Sequence, residues 1–136
     1  MDTIRKCDYF SMETAHKVGE GARLLGALRD EGVNLLAFTG FPSGRRAQVD
    51  FMPADTAQFR QAAKKLKLKL GPRKTVFLAQ GDDRPGAIAE ICEKLAQAGI
   101  NMIAMDAVAI DNNRYGAMFW VEPRSVNKAA KVLGAA

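Results

Sequence analysis

The sequence predicts an α+β protein built as two ferredoxin-like βαββαβ plaits in tandem, their antiparallel sheets paired side by side with the helices on one face. Three observations carry this. Gly32-Val33-Asn34-Leu35-Leu36 returns as Gly99-Ile100-Asn101-Met102-Ile103, an offset of half the chain, which is too long for a solenoid unit and suits a duplicated small domain. Phe10 and Phe77, Gly19 and Gly86, Ala22 and Ala89, Leu28 and Leu95, and Ala62-Ala63-Lys64 and Ala129-Ala130-Lys131 keep the same offset. Within each copy, period-2 and period-3.6 stretches follow one another as strand, helix, strand, strand, helix.

Each copy opens with an alternating stretch, Tyr9 to Thr14 and Thr75 to Gln80, whose β-branched and aromatic residues favour a strand. The first helix buries Gly21, Leu24, Leu25 and Leu28 in copy one, and Ile88, Ile91, Cys92 and Leu95 in copy two, at i, i+3, i+4 and i+7. Gly32 and Gly99 stop these helices. Strands from Val33 to Thr39 and Ile100 to Ala109 lead through turns at Phe41-Pro42-Ser43-Gly44 and Asp111-Asn112-Asn113 into strands from Ala47 to Met52 and Tyr115 to Val121. The hairpins differ in length, and Arg45 aligns with Arg114. The second helix carries Phe59, Ala62, Ala63 and Leu66, or Val126, Ala129, Ala130 and Leu133. Lys67-Leu68-Lys69-Leu70 then forms a last strand in copy one. Copy two lacks a comparable strand, so its sheet edge needs other cover. Right-handed crossovers place both helices of a plait on one face, and the junction at Gly71-Pro72 sets the domains at 1–71 and 72–136.

Composition excludes several classes. A hydrophobic share of 48% and a charged share of 26% argue against disorder and coiled coil. No apolar run reaches the roughly 18–20 residues of a membrane span, and Met1-Asp2-Thr3-Ile4-Arg5-Lys6 lacks a signal-peptide core, so a cytoplasmic protein is expected. Cys7, Cys92 and the single His16 are too few for a disulfide framework or a zinc site. They read as structural thiols and a loop residue, and neither metal nor cofactor is expected. The net charge of +5 is concentrated in Arg60, Lys64, Lys65, Lys67, Lys69, Arg73 and Lys74, a stretch without an acid. It reads as a solvated helix face leading into a linker, or as an anion or nucleic-acid surface.

The turn Asp82-Asp83-Arg84-Pro85-Gly86-Ala87-Ile88 joins the first strand of copy two to its helix. Asp83 as N-cap with Pro85 in the first helical turn explains it structurally. Alternatively, helix-start amides receive a ligand carboxylate while Asp83 accepts from an ammonium group and Gly86 lets the backbone approach. Asn101, and Asn34 in copy one, either satisfy the turn after the helix or offer a donor and an acceptor to a ligand. No catalytic constellation or phosphate loop is present, so no enzyme is expected.

A strand, then Asp83-Arg84-Pro85-Gly86, then a helix with Leu95, then Gly99-Ile100-Asn101-Met102-Ile103 resembles the ACT domain, a regulatory module of amino-acid-metabolism enzymes. The chain is similar to stand-alone tandem ACT proteins. The resemblance implies modules pairing into one eight-stranded sheet with amino acids bound at the seam. Carried over, it points to Asp83, Pro85, Gly86, Ala87 and Ile88, with Asn101, Met102 and Ile103, and to Asn34 and Leu35 across the seam. It further implies a regulated enzyme or transporter as partner. Copy one has His16-Lys17-Val18-Gly19 in place of Asp83-Arg84-Pro85-Gly86, keeping the glycine but losing acid and proline, so one site per chain is expected.

The strand from Tyr115 to Val121 is apolar on both faces, calling for a neighbouring sheet or second chain as cover, hence a homodimer. Two rival readings remain open. Arg114-Tyr115-Gly116-Ala117-Met118-Phe119-Trp120-Val121 loosely matches the aromatic strand of RNA-recognition plaits, though out of register with their motif. A ligand-independent assembly or adaptor module is the other.

Overall fold

The computed structural model describes residues 2–135. The chain divides into two compact units: module one, Asp8–Lys74, and module two, Thr75–Ala136 together with Met1–Cys7. Element order is β1 (Thr3–Ala15), α1 (Glu20–Asp30), β2 (Leu35–Ser43), β3 (Arg46–Pro53), α2 (Thr56–Lys65), β4 (Lys74–Asp82), α3 (Ala87–Gln97), β5 (Met102–Ile110), β6 (Arg114–Val121) and α4 (Val126–Leu133). The pattern βαββα thus occurs twice, as two ferredoxin-like plaits. Among the described residues, no helix is long and apolar enough to cross a membrane.

In module one, β3 lies between β2 and β1 and is antiparallel to both. Phe51 of β3 stands opposite Phe10 and Phe38, and Phe59 of α2 completes a cluster with ring centroids 5.3–5.5 Å apart, close enough to add to simple area burial. Beyond β1, Gly71 donates its N–H to the Ser11 carbonyl at 2.8 Å, while Leu68 and Leu70 pack on the core. Residues 67–70, expected as a strand, form no ladder. Lys67 is occupied in closing α2.

In module two, β6 lies between β4 and β5, antiparallel to both, and β1 runs beside β4. Its core stacks Phe77 on Phe119 at 5.3 Å, under Ile91, Leu95, Ala129 and Leu133. Ile4 packs against this core, and residues up to Cys7 belong to this unit. The edge left open by the sequence is therefore covered by the start of β1. A boundary at Gly71-Pro72 assigns the start of the chain to the first domain; in the structure residues 2–7 group with the second.

Every helix ends in the same closure. After α1, Gly32 (φ +78) donates to Arg29 and Val33 to Leu28; after α3, Gly99 (φ +72) donates to Ala96 and Ile100 to Leu95. After α2, Lys67 (φ +58) donates to Lys64 and Leu68 to Ala63; after α4, Gly134 (φ +66) donates to Lys131 and Ala135 to Ala130. These paired bonds to the last carbonyls are the Schellman closure. Lys67 and Gly134 are themselves related by the repeat offset, so the duplication is written in backbone dihedrals as well as in letters.

Three expectations need adjustment. The buried faces are Glu20, Leu24 and Leu28 on α1 and Ala87, Ile91 and Leu95 on α3; Gly21 and Cys92 are exposed, so Cys92 is not a core thiol. Strand β2 continues through Phe41-Pro42-Ser43, leaving a two-residue turn, Gly44-Arg45. The second hairpin turns on three residues, so Arg46, not Arg45, matches Arg114 at the strand start.

Lysine tolerates a left-handed φ poorly, at about 1–2 kcal/mol. Lys67→Gly therefore raises stability by about 1 kcal/mol, and Gly99→Ala lowers it by a similar amount, both read as shifts of the urea midpoint. In α1, Arg23 and then Thr14 hold the Glu20 carboxyl at about 2 against an ordinary 4.5. A depressed carboxyl stabilises the fold fully above its unfolded pKa and loses that contribution as pH falls through the folded one. Stability in this protein declines between pH 4.5 and 2, and Glu20→Gln flattens that slope in acid titrations of the melting temperature.

Candidate ligand site

Strand β4 ends at Asp82 and α3 begins at Ala87, so the loop between them has four residues. Gly86 caps α3 with φ +82 and no side-chain cap, which corrects the assignment of that role to Asp83. The cap position demands a left-handed backbone, which glycine supplies without a Cβ penalty, and Pro85 precedes the helix. The Asp83 N–H donates to the Asn113 carbonyl at 2.7 Å, tying the loop to the β5–β6 turn. Ala87 donates to the Arg84 carbonyl. The amides of Ile88 and Ala89 have no upstream helical carbonyl to meet, and the helix dipole adds partial positive charge there. The Asp83 carboxylate is exposed.

Arg84 sets the shape of the loop. Its guanidinium donates to both carboxylate oxygens of Asp2 at 3.2 and 3.3 Å, to Glu90 at 2.6 Å and to the Asp82 carbonyl at 3.0 Å. In return Arg84 holds the Asp2 carboxyl below the usual carboxylate range. Asp2 lies over Gly81, where an added Cβ would collide with its carboxylate and approach the Tyr115 ring to 2.7 Å. The Tyr115 hydroxyl is buried beside the Asp2 carboxylate. Burial, and then the charge of Asp2, push it above its ordinary pKa.

Beside the loop lies a hollow of about 270 Å³, lined by Asp83, Arg84, Gly86, residues 87–89, residues 107–109 of β5 and Tyr115. Thus four of the sequence-derived residues, Asp83, Gly86, Ala87 and Ile88, come together, with Pro85 in the same loop. Asn101, Met102 and Ile103 do not join them. They sit at the head of β5, and the hollow is at its tail, about 20 Å away at 3.3 Å per residue. The topology requires this: a strand, crossover helix and parallel strand put the first loop beside the end of the second strand. That rule, applied to Ala107, Val108 and Ala109, would have found the missed wall. Arg84 and Asp2 could not be paired from sequence, because the whole of module one lies between them along the chain. Asn34 and Leu35 stand at the corresponding head of β2 in module one, where the Asn34 carbonyl accepts from Ala54.

The same place in module one is built differently. Gly19 caps α1 with φ +87, matching Gly86. Glu20, the counterpart of Ala87 in the repeat, is buried, and its carboxylate accepts from Thr14 and Arg23. Thr14 in turn stands where module two has Gly81. Val18 of this loop is fully exposed.

The remaining surface features favour the quieter readings. Within the basic stretch, Arg73 pairs with Asp8, Lys65 with Glu31, and Arg60 lies over the Phe10 ring. On β6, Tyr115 and Phe119 are 3% and 0% exposed and face the core, so they offer no stacking platform to nucleic acid.

No protein-family model matches the chain, and no curated protein matches it in sequence. Solved structures do. Protein BT0572 from Bacteroides thetaiotaomicron is 19% identical, with 98% of this chain and 88% of that one covered and a TM-score of 0.78. The regulatory subunit of aspartate kinase from Thermus thermophilus, in a ligand-free form, is 13% identical over 98% and 94%, with a TM-score of 0.64. Its counterpart from Thermus flavus is 15% identical over 98% and 94%, at 0.59. The fold is ACT-like. At these identities an ACT-like architecture is what the comparison establishes, and ligand chemistry must be argued from the loop itself.

Gly81→Ala forces apart the Asp2 carboxylate and the Tyr115 ring and costs roughly 1–3 kcal/mol, read by urea unfolding. Because Asp2 is one of the two obstacles, the cost is smaller on an Asp2→Ala background, a non-additivity expected of touching residues.

Proposed function

We propose that the protein is a non-catalytic regulatory protein of the cytoplasm that binds an amino acid at the loop of module two, the site being completed by another module at a seam. One observation carries this reading. The hollow beside α3 combines amides without helical partners, the cap of a left-handed glycine, and an Asp83 carboxylate that makes no hydrogen bond or ion pair among the described residues. Amides at a helix start favour a carboxylate, and Asp83 is free to accept from an ammonium group. An α-amino acid carries both charges in one small molecule.

A seam is supported by β5. It is an edge strand of its sheet, its one charge is Asp106, and Ile103, Val108 and Ile110 are 58%, 61% and 55% exposed. Such an edge pairs readily with another. Antiparallel pairing with β5 of a second copy would bring the head of one strand to the tail of the other, setting Asn101, Met102 and Ile103 of one copy beside the loop of its partner. Strand β2 of module one is the other edge of this kind, and pairing there would bring Asn34 and Leu35 to a loop instead. A homodimer with one site per chain fits the divergence of the module-one loop. The aspartate kinase subunits of similar fold are regulatory by name; by analogy the responding partner here is an enzyme or transporter.

The test is a thermal-shift screen of the full chain against the twenty amino acids at millimolar concentration. Saturation near 100 times the dissociation constant adds about 2.7 kcal/mol, a shift of several degrees. The expected result is a selective rise, abolished in Asp83→Ala and diminished in Asn101→Ala for a β5 seam or in Asn34→Ala for a β2 seam. No rise with any amino acid would leave the adaptor reading in its place.

A further inference from the structure

We infer that the ligand of the module-two loop is an amino acid with an uncharged, aliphatic side chain. This rests on the reading above and deepens it, and it is carried by the wall of the hollow opposite the loop.

Two charged residues line the hollow, Asp83 and Arg84. Arg84 is already engaged by Asp2, Glu90 and the Asp82 carbonyl, so its guanidinium has no need of a further anion. Asp83 is required by the ligand ammonium, and the α3 amides by its carboxylate. Nothing on the lining is left to balance a charged side chain, and the residues a neighbouring module would bring there, Asn101, Met102 and Ile103 or Asn34 and Leu35, carry no charge. The wall that faces away from the loop is mostly apolar: Ala107 and Ala109 share one face of β5 with the backbone of Val108 between them, Ala87, Ile88 and Ala89 lie on the helix side, and Tyr115 completes the lining. An uncompensated charge placed there pays its desolvation without return, whereas branched methyl groups gain from contact. The hollow, about 270 Å³ and open to solvent, lies below the roughly 300–1,000 Å³ of typical ligand pockets, which suits a small ligand. Two of the three wall residues on the strand tail are alanines. The exposure of Ala107, Val108 and Ala109 means that no core packing demands such small side chains at 107 and 109.

The experiment is isothermal titration of the full chain with L-valine, L-leucine, L-isoleucine, L-phenylalanine, L-aspartate and L-lysine, on wild type, Ala109→Leu and Ala96→Leu. Ala109 is exposed at the hollow, and Ala96 is exposed in the last turn of α3, away from both the hollow and the β5 edge. The expected result is that at least one aliphatic amino acid binds about tenfold or more tightly than the charged and aromatic ones. Ala109→Leu weakens that binding by at least about tenfold with the ligand-free melting temperature unchanged, and Ala96→Leu leaves it unaltered. Tighter binding of aspartate, lysine or phenylalanine would overturn this inference while leaving amino-acid binding in place. So would an Ala109→Leu variant that binds like wild type. Binding of none of the six, with none of the other fourteen amino acids stabilising the chain, would overturn both readings together.

Discussion

The free edge of β4 is the constraint on which module two depends. Its ladder with β6 satisfies one side, and the backbone N–H and C=O groups on the other side need partners as well. No strand follows α4 among the described residues to supply them, and residues Thr3–Cys7 of β1 do so instead. The consequences reach the loop between β4 and α3. With β1 beside β4, Asp2 arrives over Gly81, next to Tyr115, and its carboxylate takes both N–H forks of Arg84. The guanidinium then spans Asp2 and Glu90, one at the chain start and one in the first turn of α3. The four-residue loop is thereby fixed at its centre by side chains, at Asp83 by Asn113 and at Gly86 by the helix it opens.

A second constraint is directional. In a strand, helix and parallel strand unit, the loop before the helix and the residues after it fall at opposite ends of the sheet. Asp83 and Asn101 are placed by that rule on opposite ends of one module, however close their motifs lie in sequence. A ligand that touches both must be shared between modules. On the proposed reading the exposed apolar edge of β5 would serve that sharing, whereas a long apolar edge otherwise invites uncontrolled pairing.

The repeat was the legible part of the fold, because duplicated positions fix both identity and conformation: Gly19 with Gly86, Gly32 with Gly99. Lys67 opposite Gly134 was not legible as a helix closure, since lysine gives no hint of a positive φ. The early start of β1 was hidden for a related reason. Arg5-Lys6-Cys7-Asp8 has no apolar alternation, and its strand state is imposed by a neighbour rather than by its own pattern. Pro42 suggested a turn but is tolerated inside β2 because that strand is an edge. Of the candidate site, the loop residues were readable from local motif. The wall at 107–109 and the Asp2–Arg84 pair depend on topology, which local spacing does not report.

Comparison of the two loops separates what the backbone needs from what a ligand would need. Both modules keep a glycine at the helix cap, with φ +87 at Gly19 and +82 at Gly86, so that residue answers to chain geometry whether or not a ligand binds. The surrounding charges are rearranged as a set. Module one joins Thr14, Glu20 and Arg23 into a closed group in which the helix provides its own buried carboxylate. Module two has Gly81, Ala87 and Glu90 at those three positions, removing the hydroxyl and the buried acid and reversing the charge of the third. The carboxylate over Gly81 now comes from Asp2, and the cation from Arg84 on the loop. With Ala87 in place of Glu20, the space next to the loop is lined by a methyl group instead of filled by a paired acid. The two copies therefore share a scaffold and differ in whether that corner is closed by the chain itself, which is the physical basis for expecting module two, and not module one, to receive a ligand.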